Sequence, residues 1–248
     1  MALVVAVKVG STTVSILAAE SLDRPEWRRA EVLRLWSRPV PEGSAALTQT
    51  LAAWAERLRP KTVTRVLVGG GAWLRHHPDA LAGHPWAKAL WVLDPQEEAS
   101  LTWAAVQARY REPVAVLDIG GGSTELGCAE AVWSWPVGVE QESPAPVDWP
   151  PLGGRQLVVV GGLASALAPV WHASADPPQT RWAALLARDA ATWLAQGVDP
   201  TRVPLLPRGL TLLGSALERW GWPTLGFSTR GLLEGLWLAA ALGRGWEP

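Results

Sequence analysis

The sequence predicts an α/β protein, because short apolar segments of strand length alternate with longer segments of helical periodicity. Leu47, Leu51, Trp54 and Leu58 recur at the spacing of one face of an amphipathic helix. The apolar segments, in contrast, are short and are followed by glycines or polar turn residues, as buried strands are. Strands that alternate with helices favour sheets with parallel neighbours and helical covers.

The elements follow in order along the chain. Residues 3–9 and 14–19 are apolar runs around a Gly-Ser-Thr-Thr turn, which predicts a β-hairpin. Further strands are predicted at 66–68, 91–93, 114–117, 157–160 and near 225. Helices are predicted at 47–58, around Arg75, from 95, from 163, at 181–196, at 207–220 and after Ser228. The proline- and glycine-rich residues 140–155 predict a loop.

One helix start is specified in detail by the segment Asp94-Pro95-Gln96-Glu97. It offers an N-cap, a proline in the first turn and a carboxylate three positions after the cap. This pattern predicts that Glu97 turns back to the Asp94 backbone. Glu98 lies past the cap and is predicted to point elsewhere.

Composition excludes several classes of protein. The chain has 248 residues with 22 basic and 23 acidic side chains, so it lacks the strongly basic footprint of a nucleic-acid binder. It has no run of 18 apolar residues and no signal-peptide pattern at its start, which predicts a soluble cytoplasmic protein that does not enter a membrane. With a single cysteine, Cys128, an internal disulfide is impossible. The absence of Asn and the 21 prolines fit either a heat-adapted protein or a GC-rich genome.

Two hairpins resemble each other. Val7-Lys8-Val9-Gly10 matches Leu117-Asp118-Ile119-Gly120, and after a two-residue length difference Ser11-Thr12-Thr13-Val14 matches Ser123-Thr124-Glu125-Leu126. This similarity predicts two domains of related build, although any two hairpins with glycine and serine share some of it. We place the first lobe at 1–113 and the second at 114–248, with the terminal helix after Ser228 either in the second lobe or packed back on the first.

The segment Asp118-Ile-Gly-Gly-Gly-Ser-Thr-Glu-Leu126 carries the clearest chemical signal. An acid at the end of a strand, followed by three glycines and a hydroxyl pair, suits a hydrated cation held beside phosphate oxygens. Glycines let successive backbone N–H groups point into one concavity, where they bind anions. Glu125 adds a second carboxylate across the turn.

These residues resemble the signature of the Ppx/GppA phosphatase family, the exopolyphosphatases and guanosine pentaphosphate phosphohydrolases. Weaker resemblances follow in the family's order, at Gly10-Ser11, 72–75, 97–101, 160–162 and 228–236. The resemblance implies the two-domain actin-like architecture (the ASKHA superfamily, a duplicated ribonuclease H-like fold). It also implies Mg²⁺-assisted attack of water on the terminal phosphate of inorganic polyphosphate or of the guanosine polyphosphate pppGpp.

Site residues follow from the matched positions. The resemblance implies Glu98 as the catalytic carboxylate, Asp118 as a metal ligand, and Glu125 as a group that orients water or metal. Residues expected to bind phosphate are Gly10, Ser11, Thr12, Arg75, Gly120, Gly121, Gly122, Ser123, Gly161 and Gly162. Residues 21–75 contain ten basic and five acidic side chains, and this excess would attract a polyanion if it faced the site.

The sequence also departs from the family pattern. Lys8 stands where the family has an Asp in the first hairpin, and Thr12 stands in place of an Asn. A lysine there reverses the local charge, so it either weakens Mg²⁺ binding or contacts phosphate itself. The rival hypothesis is therefore a catalytically impaired member that binds a polyphosphate, a nucleotide or a partner protein without turnover.

Two further features carry less chemistry. The four histidines form no cluster at ligand spacing, so we interpret them as packing or surface residues. Residues 231–243 are apolar around Glu234 but too few to span a bilayer. They predict either a buried terminal helix or the face of a homodimer.

Overall fold

The computed structural model describes residues 2–10, 13–20, 32–39, 44–142, 145–172 and 176–245. It divides into two compact units: unit 1 is Met1–Arg109 with Gly231–Pro248, and unit 2 is Tyr110–Arg230. The second unit begins at Tyr110 rather than at the predicted 114, and of the two placements predicted for the terminal helix the division contains the one on the first lobe. The chain enters unit 2 at Tyr110 and returns to unit 1 at Gly231, so the terminal helix belongs to the first unit.

The elements are as follows. The strands are β1 (Ala2–Val9), β2 (Thr13–Glu20), β3 (Val32–Pro39), β4 (Thr62–Gly70), β5 (Leu90–Val92), β6 (Val114–Ile119), β7 (Thr124–Gly127), β8 (Val132–Trp135), β9 (Gln156–Val160) and β10 (Leu225–Phe227). The helices are α1 (Ser44–Leu58), α2 (Ala72–His76), α3 (Pro95–Gln107), α4 (Gly161–His172), α5 (Pro178–Leu186), α6 (Ala190–Ala195), α7 (Leu206–Arg219) and α8 (Leu232–Ala241).

The two units have the same sheet topology. In unit 1 the strand order is β3-β2-β1-β4-β5, with β1 antiparallel to β2 and parallel to β4. In unit 2 the order is β8-β7-β6-β9-β10, with β6 antiparallel to β7 and parallel to β9. Each strand of unit 1 therefore has a counterpart in unit 2, which agrees with the predicted duplication.

Both faces of the unit 1 sheet are covered by helices. On one face α1 buries the four residues that predicted it, Leu47, Leu51, Trp54 and Leu58, each at most 3% exposed. On the other face the indole N–H of Trp237 in α8 donates to the Val4 carbonyl at 3.1 Å. The terminal apolar segment is thus a buried helix. No helix in the described part of the chain is long and apolar enough to cross a membrane.

Two predictions of secondary structure were wrong or incomplete. The helix expected at 181–196 is two helices, because Asp189 accepts the Thr192 N–H at 2.8 Å and begins α6 as its N-cap. Strands β3 and β8 were not predicted. Polar residues interrupt the sequence of β3 (Val-Leu-Arg-Leu-Trp-Ser-Arg-Pro), and β8 has only four residues, which is too short for its alternation to stand out.

His84 provides a pH-dependent contact at the start of the 3₁₀ helix Pro85–Ala89, which leads into β5. Its Nδ1 accepts the Trp86 N–H at 3.1 Å, and burial lowers the pKa of His84 below its usual value near 6.5. The unfolded chain therefore binds a proton more tightly than the folded one. We expect the free energy of unfolding to decrease as pH falls below about 6.5.

The substitution His84→Asn tests this expectation, because an Asn side chain can cap the same N–H and does not titrate. Urea unfolding at pH 8 and pH 5 should show a smaller loss of stability in this variant than in the wild type. His76→Asn is the matched control, since His76 is exposed. Equal pH dependence in the His84 variant and the wild type would contradict the prediction.

Candidate functional site

The glycine turn of unit 1 joins β1 to β2. The Gly10 N–H donates to the Thr13 carbonyl at 2.9 Å, which closes the turn. Lys8 pairs across the hairpin with Ser15 and lies beside Gly69 of β4. Its side chain folds over the turn, with Cε 3.6 Å from the position that a Cβ on Gly10 would take. The predicted phosphate-binding residues Ser11 and Thr12 lie outside the described residues.

The start of α3 has the predicted capping box. Asp94 Oδ1 accepts the Gln96 and Glu97 N–H groups, each at 2.8 Å, and Glu97 Oε2 accepts the Asp94 N–H at 3.0 Å. This confirms that Glu97 is committed to the helix start. The side chain of Glu98 is not part of the box and extends to Gly71.

Gly71 provides the space that the Glu98 carboxylate fills. A Cβ on Gly71 would lie 1.6 Å from Glu98 Oε2, which is far inside contact distance. Arg75 Nη1 lies 3.2 Å from the same point and donates to the Leu93 carbonyl at 2.6 Å. The structure thus brings together Glu98 and Arg75, two residues predicted for the site, around a glycine that the sequence analysis did not single out.

The glycine turn of unit 2 repeats that of unit 1. The Gly120 N–H donates to the Ser123 carbonyl at 2.9 Å, as the Gly10 N–H does to Thr13. Both turns therefore have four residues, and the two-residue length difference assumed from the sequence is corrected. Within this register Lys8 corresponds to Asp118, and Ser15 corresponds to Glu125.

Two buried carboxylates face each other beside the unit 2 turn. Asp118 and Glu125 are directly paired across β6 and β7, and they are 9% and 4% exposed. On the outer side, Ser134 of β8 donates its hydroxyl to Glu125 Oε1 at 3.1 Å. Like charges at directly opposed positions repel, so this pair favours a bound cation.

The two carboxylates suit Mg²⁺ better than a metal ion whose ligands must all be protein side chains. Among the residues that the structure describes, no group of three or more His, Cys, Asp or Glu could hold a metal. Mg²⁺ characteristically uses one or two carboxylates, and water and substrate phosphates complete its coordination. Asp118 and Glu125 could supply those two carboxylates.

The backbone that follows Gly138 holds the unit 2 turn in place through two hydrogen bonds. The Val139 N–H donates to the Gly120 carbonyl at 3.0 Å, and the Glu140 N–H donates to the Gly121 carbonyl at 2.9 Å. The turn can approach this closely because Gly138 has no side chain, and a Cβ there would lie 2.1 Å from the Gly121 oxygen. Gly138 was not predicted from the sequence, where its only signal is that it follows a Trp-Pro-Val segment directly.

The first turn of α4 packs against Asp118 at one glycine and against Arg202 at the next. Gly161 has φ of +76°, and a Cβ there would lie 2.4 Å from Asp118 Oδ1. At Gly162 a Cβ would lie 2.7 Å from Arg202 Nη1, so the guanidinium packs on the glycine at the start of the helix. The first N–H groups of a helix attract anions. Arg202 was missed, because the sequence does not show which arginine 40 residues away reaches this turn.

Comparison with known proteins tests the resemblance. Residues 37–140 match the model of the Ppx/GppA phosphatase family, a range that includes Glu98, Asp118 and Glu125. The predicted Ppx/GppA resemblance is confirmed.

Solved structures with the same fold include members of the Ppx/GppA family. A Ppx/GppA enzyme from Aquifex aeolicus is 18% identical with a TM-score of 0.76, and the match covers 96% of this chain and 99% of that one. An exopolyphosphatase from Cytophaga hutchinsonii is 17% identical with a TM-score of 0.77, covering 97% and 98%. The predicted two-domain, actin-like α/β fold is confirmed. A search of curated proteins finds no match.

Gly71 yields a test of the carboxylate's position. The substitution Gly71→Ala should destabilise unit 1 by about 1 kcal/mol, because the new methyl group displaces the Glu98 carboxylate, which is the flexible end of a side chain. In a Glu98→Ala background the methyl group has space, so the same substitution should cost clearly less. Urea unfolding of the four proteins in this double-mutant cycle measures the difference. Additive effects would show that the two residues do not compete for this space.

Proposed function

We propose that this protein is a phosphoric-anhydride hydrolase that removes the terminal phosphate from inorganic polyphosphate or pppGpp. The observation that carries the proposal is the buried Asp118–Glu125 pair beside a glycine turn. Backbone hydrogen bonds from Val139 and Glu140 hold this turn in place. The match to the Ppx/GppA family model over 37–140 supports it, as does the structural similarity to an exopolyphosphatase.

Phosphate oxygens would be bound mainly by backbone and arginine N–H groups. In unit 2 these donors are the glycine turn 120–123, the first turn of α4 at Gly161 and Gly162, and Arg202. In unit 1 the donor is Arg75, whose Nη1 is oriented by the Leu93 carbonyl. A planar guanidinium suits phosphate because two of its N–H groups can bind two oxygens at once.

Glu98 would act as the general base on the attacking water. Its carboxylate is half-buried, lies against Gly71 and has no part in the capping box of α3, which directs it away from the helix start. The proton passes from water to the carboxylate as the water oxygen bonds to phosphorus, and the bond from phosphorus to the bridging oxygen breaks. Backbone N–H groups of the turns stabilise the charge on the departing phosphate chain.

Asp118 and Glu125 would hold Mg²⁺, directly or through its water. When bound, this ion neutralises part of the negative charge on the phosphate oxygens. The counterparts of these two residues in unit 1 are Lys8 and Ser15, which cannot form a carboxylate pair. The proposal therefore assigns the metal to unit 2.

A phosphate-release assay with long-chain polyphosphate and pppGpp, each with and without Mg²⁺, tests the activity. We expect Mg²⁺-dependent release by the wild type and a loss of roughly 10²- to 10⁴-fold in kcat for Glu98→Gln. Glu97→Gln is the matched control, because Gln can also complete a capping box and should leave kcat unchanged. Undiminished activity in Glu98→Gln would rule out Glu98 as the base.

A second candidate function is phosphate binding without turnover, and Lys8 is the observation that favours it. Its ammonium group stands where the duplicated unit has Asp118, and its stem packs over the Gly10 turn. A cation here can contact phosphate directly, but it would repel a metal ion.

The substitution Lys8→Asp separates the two functions. If the wild type is an enzyme that uses Lys8 to bind phosphate, Lys8→Asp should raise KM for polyphosphate at least several-fold. If the wild type binds polyphosphate but releases no phosphate, and Lys8→Asp gains turnover, the non-catalytic function is correct. Isothermal titration with polyphosphate measures binding in both proteins, and Lys61→Asp at an exposed lysine of unit 1 controls for net charge.

A further inference from the structure

Three polar side chains form a row across three neighbouring strands of unit 2. Asp118 of β6 is paired with Glu125 of β7, and Glu125 is paired with Ser134 of β8. Directly paired residues share one face of a sheet, so the three side chains point to the same side. This side is opposite to the one where Leu117 and Ile119 pack into the core.

Ser134 is the one polar residue of a strand that is otherwise apolar. Strand β8 reads Val-Trp-Ser-Trp, and Trp133 and Trp135 pack against the hydrophobic core. A serine has a lower strand propensity than the β-branched residues that would suit this position for packing alone. Its hydroxyl donates to Glu125 Oε1 at 3.1 Å.

This contact limits the freedom of the Glu125 carboxylate. The last torsion of a glutamate side chain has a broad energy minimum, so burial alone does not fix the plane of the two oxygens. A donor on the side away from Asp118 binds Oε1 and thereby restrains that plane. Partners of this kind orient metal-binding carboxylates and raise metal affinity.

We infer that Ser134 is a positioning residue, which orients Glu125 for a divalent cation shared with Asp118. The inference rests on the metal role given to this pair in the proposed function, but not on turnover. It assigns a function to β8, a strand that carries none of the residues expected from the sequence.

Binding of Mn²⁺ to the full chain, followed by electron paramagnetic resonance of the free ion, tests the inference without any substrate. We expect the wild type to bind Mn²⁺, Asp118→Asn to lose binding, and Ser134→Ala to bind roughly 10- to 100-fold more weakly. Ser134→Thr keeps the hydroxyl and suits a strand, so it should restore nearly wild-type affinity. Ser134→Cys, with a weaker donor, should bind between these limits.

Thr192→Ala is the matched control, since the Thr192 hydroxyl also donates to a carboxylate, Asp189 Oδ1 at 2.6 Å, at an exposed helix start of the same unit. It should lower thermal stability and leave Mn²⁺ affinity unchanged. Wild-type affinity in Ser134→Ala, or no Mn²⁺ binding by the wild type, overturns the inference. Ser134-dependent Mn²⁺ binding in a protein that releases no phosphate would support the inference and refute the proposed hydrolase.

Discussion

The close approach of a carboxylate to a glycine backbone is the constraint on which both candidate sites depend. Glu98 lies against Gly71 just after β4, and Asp118 lies against Gly161 just after β9. Strands β4 and β9 are counterparts in the duplicated topology, so each unit places a glycine at the same point and seats a carboxylate there. In both cases the acid occupies the space of the missing Cβ. Any larger residue at either glycine would displace the group to which the chemistry is assigned.

The two units share the backbone of the glycine turn but differ in the side chains beside it. Both units close a four-residue glycine turn with the same 2.9 Å hydrogen bond between the first strand and the second. The paired positions beside the turn hold Asp118 and Glu125 in unit 2 but Lys8 and Ser15 in unit 1. Backbone N–H groups bind phosphate whatever the side chains are, whereas a cation site needs carboxylates. In the proposed function the unit 2 turn would therefore serve both anion and metal binding, whereas the unit 1 turn has no carboxylate pair for a metal.

Local signals in the sequence predicted the features that depend on neighbouring residues. The Asp94–Glu97 capping box, the face of α1 and the glycine turns are all determined within a few positions along the chain. The residues that were missed depend on contacts between distant segments: Gly138 on the 120–123 turn, Arg202 on Gly162, and Ser134 on Glu125. The wrong register of the two hairpins has the same origin. Matching residue types aligned Thr13 with Glu125. Pairing across the strands sets Ser15 opposite Lys8, as Glu125 is opposite Asp118, so Ser15 is the counterpart of Glu125.

Lys8 packs on the unit 1 turn, so it has a structural place there and is more than a missing counterpart of Asp118. The chain has only three lysines and prefers arginine, yet a lysine stands at this position. The lysine stem packs on Gly10. An ammonium group can supply positive charge to a phosphate without recruiting an ion. A carboxylate at the same position would do so only after binding a metal. In the proposed function, Lys8 would thus let unit 1 contribute to anion binding independently of the metal concentration, and unit 2 would be the metal-dependent half.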